Sequence, residues 1–188
     1  YRALNKYGKY VWVRCQGIVE RNADGSLGLF VGTMMNLGVN AKFDQPTGLY
    51  TFHELKKQLP SFISHGMEGA VLLFDVDRLQ RINDILGYLV GDEVLQRLGQ
   101  KCQSMEGVIS YRGPGGKFYC ITTEKSESAL DRIYREVQRF SEEVPREMNL
   151  EIQLTISCGV AFFPQDAEDF ETLHANVEYA LEQAKKVG

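Results

Sequence analysis

The sequence predicts an α/β domain with a mixed central β-sheet flanked by helices, preceded by an antiparallel β segment. Three observations predict it. Short apolar runs suited to buried strands alternate with longer stretches whose apolar residues recur at helical spacing. Two of the strands are separated only by a glycine-rich turn, which requires an antiparallel pair beside the crossovers. Residues 1 to 38 alternate like strands throughout and show no helical period.

Taken in order, Lys9-Tyr-Val-Trp-Val-Arg-Cys15 alternates, Asn22-Ala-Asp-Gly25 is a hairpin turn signal, and Leu29 to Met35 is a further apolar run, so roughly three strands are expected. A sheet of that size is marginal alone, which makes this piece the end of a larger domain. It resembles the C-terminal half of a PAS domain, with Gly8, Trp12, Asp24-Gly25 and Gly32 at the spacing of that family's last strands. The alternative is a strand-rich extension of the second domain. The PAS resemblance implies PAS strands over 1–38, a linker over 39–43 and a second domain over 44–188.

The second domain opens with Asp44-Gln-Pro-Thr-Gly-Leu49, where Pro46 and Gly48 mark a turn, and Phe52 to Ile63 then has helical spacing. Ala70-Val-Leu-Leu-Phe-Asp75 is a continuous apolar run that fits a strand buried on both faces. Helices are expected over Leu79–Leu86 and, beyond Gly87 and Gly91, over Asp92–Cys102. Gly107 to Thr122 reads as strand, turn and strand, Ser128–Phe140 as a helix, Leu150–Phe163 as a buried strand and Phe170–Lys186 as a closing helix.

Composition excludes several function classes. The 188 residues are 44% apolar and 24% charged with a net charge of −4, and the basic residues are dispersed, so nucleic acid is not an expected partner. The four cysteines, Cys15, Cys102, Cys120 and Cys158, form no CxxC pair and read as small core residues in a reducing cytosol. No apolar run approaches the ~20 residues that span a bilayer, so no membrane contact is expected within this segment. The chain begins at Tyr1 without a methionine, as an excised segment would.

Chemistry is expected where the strand ending at Asp75 meets the helix beginning near Arg78. A helix start offers backbone N–H groups to phosphate, and a strand-end carboxylate can hold the accompanying magnesium. Taken singly, each residue has a plainer reading. Asp75 and Asp77 could be cap or loop residues, Asn83 an exposed polar residue, and Asp92 a helix cap.

Together, Phe74-Asp-Val-Asp77, Ile82-Asn-Asp84, Gly87 and Gly91-Asp92 resemble the signature of the GGDEF family, whose active members are diguanylate cyclases. The resemblance continues through Ser157-Cys-Gly-Val160, Phe163-Pro164, Ala180-Leu181 and Ala184-Lys185, and so covers nearly all of residues 40–188. It implies a nucleotide-cyclase-like fold in which two facing domains join two GTP molecules into cyclic di-GMP with the help of metal ions. Residue by residue, it implies that Asp75 binds metal through its carboxylate and Val76 through its carbonyl. Asn83 and Asp92 would read guanine, and Lys185 would contact phosphate. Gln80 stands where a phosphate-contacting lysine is usual.

The signature turn departs from the family. Pro114-Gly115-Gly116-Lys117-Phe118 aligns over Gly-Gly-Asp/Glu-Glu-Phe, so Gly116 and Lys117 replace both acidic residues. An ammonium about 4 Å from a divalent ion, at an effective dielectric near 20, would be repelled by roughly 8 kcal/mol. Lys117 is thus expected either to supply positive charge in place of metal or to lie in solvent on a plain hairpin. Met105 and Val108 occupy the positions of the family's product-inhibition Arg-x-x-Asp, Thr51 and Phe52 those of Asn-Arg, and Val177 and Glu178 those of Ala-Asp.

The reading that follows is a catalytically inactive or impaired GGDEF domain acting as a regulatory module in cyclic di-GMP signalling. GTP would be its ligand, with magnesium binding weakened and no cofactor needed for folding. The alternatives are an active diguanylate cyclase with an altered metal site and a structural dimerisation module with an empty pocket. The resemblance also implies an EAL-type phosphodiesterase domain in the parent chain, a homodimer and a cytoplasmic location.

Overall fold

The computed structural model describes residues 2–4, 10–22, 24–36 and 42–187. The chain divides into two compact units, Tyr1–Ala41 and Lys42–Gly188. In the first, β1 (Arg2–Leu4) and β3 (Leu27–Asn36) flank β2 (Tyr10–Arg21), both antiparallel to it. The expected turn follows β2: Gly25 N–H donates to Asn22 O, and Asp24 Oδ1 accepts from Ser26 N–H. Gly8 and residues 39–41 of the expected linker lie outside the described residues.

The second unit is a mixed five-stranded sheet between two layers of helices, as the sequence pattern requires. Its elements are β4 (Tyr50–Thr51), α1 (Phe52–Ser64), β5 (Gly69–Val76), α2 (Leu79–Leu86), α3 (Tyr88–Ser104), β6 (Ile109–Arg112), β7 (Lys117–Thr122), α4 (Glu127–Glu147), β8 (Ile156–Phe163) and α5 (Phe170–Val187). Strand order is β4-β6-β7-β5-β8. Only β4–β6 is parallel; the other pairs are antiparallel.

Period-two alternation sorts the core. In β5 every residue is buried. Ala70, Leu72, Phe74 and Val76 pack with Val94 and Leu98 of α3 and Ile133 and Val137 of α4. Val71 and Leu73 point the other way, to Leu55 and Leu59 of α1 and Leu173, Val177 and Leu181 of α5. β7 obeys the same parity, with Phe118 and Cys120 on the α3/α4 side and Tyr119 and Ile121 on the α1/α5 side. Each fully buried leucine or phenylalanine contributes about 1.5–3 kcal/mol, so this alternation fixes the register strongly. It also sends the odd-numbered Asp75 and Lys117 toward α5.

Three element boundaries correct the sequence expectations. α3 begins at Tyr88 rather than Asp92, because Gly87 (φ 87°, ψ 156°) turns the chain abruptly between α2 and α3. Asp92 is therefore inside a helix and not its cap. β8 starts at Ile156; the apolar Leu150, Ile152 and Leu154 pack on the core from a loop, not as the expected strand from Leu150. α4 runs to Glu147, past the expected Phe140 and through Pro145 near its end. No described helix is long and apolar enough to cross a membrane.

Candidate functional site

The site forms where the end of β5, the β6–β7 turn and the inward stripe of α5 converge. On α5 the residues His174, Glu178, Leu181 and Lys185 recur at spacings of four, three and four, which places them on one face. That face meets the odd side of β5 and β7. Lys185 Nζ donates to Asp75 Oδ2 at 2.5 Å and stands 3.9 Å from Asp77 Oδ1. Asp77 also accepts from the Ser157 hydroxyl at 2.9 and 3.0 Å. The Asp75 side chain is 13% exposed, so its charge is held chiefly by this one ammonium.

Lys117 is the cross-strand neighbour of Asp75, yet it turns to α5 and donates to Glu178 Oε2 at 2.5 Å. Paired in this way and 26% exposed, it is not the free solvent lysine of a plain hairpin, one of the two expectations from sequence. Glu178 in turn accepts from the Tyr119 hydroxyl at 2.9 Å, and His174 Nε2 lies 2.9 Å from the same hydroxyl. Burial raises the Glu178 carboxyl pKa, but the hydrogen bonds from Lys117 and Tyr119 outweigh it and leave the group below the usual carboxylate range. His174 stacks on Phe170 at 5.5 Å. Burial lowers its pKa, and Lys117 and Lys56 push the same way against the attraction of Glu178.

The signature turn is stapled from within. The Arg112 guanidinium donates to the carbonyl oxygens of Gly113, Gly115 and Lys117 and lies over the Phe118 ring at 4.6 Å. Burial lowers the Arg112 pKa, opposed by the carboxylates of Asp44, Asp75 and Asp92. Gly116 is packed against the strand end: Val76 N–H donates to Gly116 O at 3.1 Å, and a Cβ on Gly116 would meet Asp75 Oδ1 at 2.6 Å and Val76 O at 3.0 Å. The space that a third-position side chain would take is thus filled by the strand that would share its metal.

The signature turn adds no carboxylate to Asp75 as a divalent ion would require. Asp75 is held by Lys185, the turn supplies no carboxylate, and no group of three or more His, Cys, Asp or Glu able to hold a metal exists among the described residues. Asn83 and Asp92 are differently placed, on α2 and α3. A Cβ on Gly91 would meet Asn83 Oδ1 at 1.8 Å, so the missing side chain lets the carboxamide lie against α3 beside Asp92. Asn83 Oδ1 is buried without a hydrogen-bond partner. Such an acceptor costs about 1–3 kcal/mol.

Sequence reasoning missed Arg112, Glu178, His174 and Tyr119 as parts of this site. The signal was present in the odd parity of β7 together with the α5 stripe, but only the sheet order connects them.

The profile of the family described as "Diguanylate cyclase, GGDEF domain" matches residues 41–188. Among curated proteins, the chain is 25% identical over 155 residues to the diguanylate cyclase VdcA of Vibrio cholerae, covering 79% of this chain and 45% of that protein. It is 30% identical over 157 residues to the cyclic di-GMP phosphodiesterase NbdA of Pseudomonas aeruginosa, covering 79% of this chain and 20% of that one. The chain thus spans less than half the length of these relatives. Among solved structures, a sensory box/GGDEF family protein from Caulobacter crescentus superposes with a TM-score of 0.63 at 26% identity, covering 79% of this chain and all of that one.

Proposed function

Because the chain belongs to the GGDEF domain family, whose members generally use magnesium with GTP, we propose that this member is a catalytically silent regulatory module of cyclic di-GMP signalling that holds GTP without turning it over. The observation that carries this reading is the signature turn, where Gly116 packs against Asp75 and Lys117 is drawn to Glu178, so that the turn supplies no carboxylate beside Asp75. Two-metal phosphoryl transfer needs carboxylates to hold cations against the triphosphate. Here Asp75 remains, but the carboxylates of the turn are replaced by Gly116 and Lys117.

Base recognition is supported by Asn83 on α2 and Asp92 on α3 standing at the family's guanine-reading positions, with Gly91 leaving the Asn83 carboxamide room to pack against α3. In this reading Asn83 and Asp92 hold the guanine edge, and Lys185 exchanges Asp75 for a phosphate oxygen when the nucleotide arrives. Asp75 and Val76 keep the positions of metal ligands without the partners needed to complete a site. Residues 1–38 are read as the last strands of a PAS domain that feeds a signal into residues 44–188. The regulated partner is read as an EAL-type phosphodiesterase domain in the parent chain, at a cytoplasmic location. The relatives give this arrangement context, since they include a protein named as a cyclase and another named as a phosphodiesterase.

Incubation with GTP and magnesium, followed by chromatography for cyclic di-GMP, tests silence; product that Asp75→Ala abolishes would overturn it. Calorimetric titration with GTP in the absence of metal tests binding. Asn83→Ala and Asp92→Ala are each expected to weaken it about tenfold or more. Equal affinity in wild type and both variants would refute the base-reading role.

A further inference from the structure

The sheet of the second unit ends on β8, which pairs with β5 alone. Its register runs unbroken from Ile156 opposite Val76 to Phe163 opposite Gly69, so its backbone groups alternate strictly between β5 and the open side. Three hydrogen bonds fix which residues face outward. Ile156 O accepts from Gln138 Nε2 at 2.9 Å, Phe162 N–H donates to Asp166 Oδ2 at 2.7 Å, and Phe162 O accepts from Asp166 N–H at 2.8 Å. The even-numbered Cys158 and Val160 lie between these caps, and no described residue takes up their outward N–H and C=O groups. The edge is closed at both ends and open over its middle.

Sheets blunt such edges with charged side chains, proline, a bulge or a very short strand. The opposite edge follows that rule, since β4 has only two residues. The middle of β8 does not: Cys158-Gly159-Val160 is uncharged and pairs without a bulge. Beside it lies a groove of about 810 Å³, floored by Leu72, Cys158, Val160 and Phe162 and walled by Leu130 and Tyr134 of α4. Three charged residues line the groove, Lys125, Glu127 and Asp131. Lys125 is neutralised by Glu68, and Asp131 shares an exposed pair with Arg135. Glu127 makes no side-chain hydrogen bond or ion pair among the described residues, so the rim keeps an unanswered negative charge.

We propose that this groove takes a basic, extended segment of a partner protein, which adds to the sheet as a short antiparallel strand. In that pairing the two residues opposite Cys158 and Val160 turn both backbone groups to β8 and their side chains into the groove, so both are apolar. Lysine or arginine on either side of them meets Glu127 and Asp131. Main-chain bonds supply the affinity, and the groove selects the side chains. The groove shares no residue with the Asp75–Lys185 or Asn83–Asp92 pairs, so the contact stands independently of nucleotide binding.

The test titrates the 188-residue chain with the capped peptide acetyl-Lys-Thr-Val-Thr-Val-Thr-Lys-amide, followed by amide NMR. GTP titration of the same samples reads nucleotide binding separately. Saturable shifts centred on the Cys158 and Val160 amides are expected. N-methylation of both peptide valines deletes the donors toward β8 without altering the protein, and should weaken binding about tenfold or more. Glutamate in place of both lysines should weaken it about threefold or more, and Glu127→Lys should weaken the lysine peptide by a similar factor. Glu143→Lys, about 24 Å further along α4, should leave it unchanged. A wild type without saturable shifts up to millimolar peptide overturns the proposal. So do shifts centred elsewhere, an N-methylated peptide that binds equally well, or a loss in Glu143→Lys equal to that in Glu127→Lys.

Discussion

Lys185 Nζ lies 2.5 Å from Asp75 Oδ2, joining the last helix of the domain to the end of β5 across 110 positions of sequence. The carboxylate is mostly buried and the ammonium about one-third exposed, so the two partners stand in unequal surroundings. Removing the cation leaves a charge in a poorly hydrated place, whereas removing both charges leaves two neutral groups.

Lys185→Met is therefore expected to destabilise the domain by about 2 kcal/mol, and Asp75→Asn combined with Lys185→Met by clearly less. Urea unfolding of wild type, Lys185→Met, Asp75→Asn and the double variant checks it. A double variant as unstable as the sum of its singles would show that the pair is not coupled.

Gly116 gives a steric prediction that opposes the intuition of restoring the family motif. Its φ is not in the left-handed region, so any penalty comes from contact alone. A Cβ would meet Asp75 Oδ1 at 2.6 Å and the backbone of Val76 at 3.0 and 3.1 Å. Gly116→Ala should thus cost about 1–3 kcal/mol, and Gly116→Asp more, because it adds a second carboxylate beside Asp75. Thermal melts at matched ionic strength read both, and an alanine variant as stable as wild type would mean that the turn can withdraw from the strand at little cost.

How far the sequence reaches is clearest at the paired strands. The apolar run from Ala70 to Asp75 announces a buried strand and the turn before Phe118 announces the β6–β7 hairpin, whereas the pairing of β5 with β7 that puts Asp75 and Lys117 on one face comes from the structure. What sequence could not supply is the occupant of that face. Glu178 lies 61 positions from Lys117, and only the sheet order brings α5 over it. The loop over Leu150–Leu154 misled for a related reason. Its apolar residues alternate like those of a strand, with Leu154 buried and Leu150 and Ile152 partly so, but they pack on the core without a ladder. The guanine-reading pair was visible as a motif, whereas the unpartnered state of Asn83 Oδ1 depends on Gly91 approaching it through space.

Arg112 should resist conservative replacement. Its fork reaches the carbonyls of Gly113, Gly115 and Lys117 at once, which a lysine point charge cannot do. Arg112→Lys is expected to destabilise by about 2 kcal/mol and to speed amide hydrogen exchange across residues 113–117. Unchanged exchange in that segment would remove Arg112 from its stapling role.

The α5 stripe makes stability depend on pH with a definite sign. His174 has a folded-state pKa below its usual value, chiefly through burial, so the unfolded chain binds the proton first. Stability is then full above the unfolded value near 6.5 and falls as pH drops from there toward the lower folded value, where the loss levels off. Glu178 adds a second, more acidic loss: its folded pKa lies below the usual range despite burial, because Lys117 and Tyr119 hold the carboxylate. Its contribution is present above about pH 4.5 and disappears as pH falls through the folded value. His174→Phe keeps the stack on Phe170 and should flatten the profile between about pH 7 and 5 while leaving the acidic limb in place. Lys117→Met should do the reverse, shrinking the acidic loss and shifting the His174 titration upward, since Lys117 both holds Glu178 and repels the imidazolium. Denaturant midpoints across pH, with the His174 ring followed by NMR, separate the two limbs. A profile that His174→Phe leaves unchanged would place the neutral-pH dependence on another group.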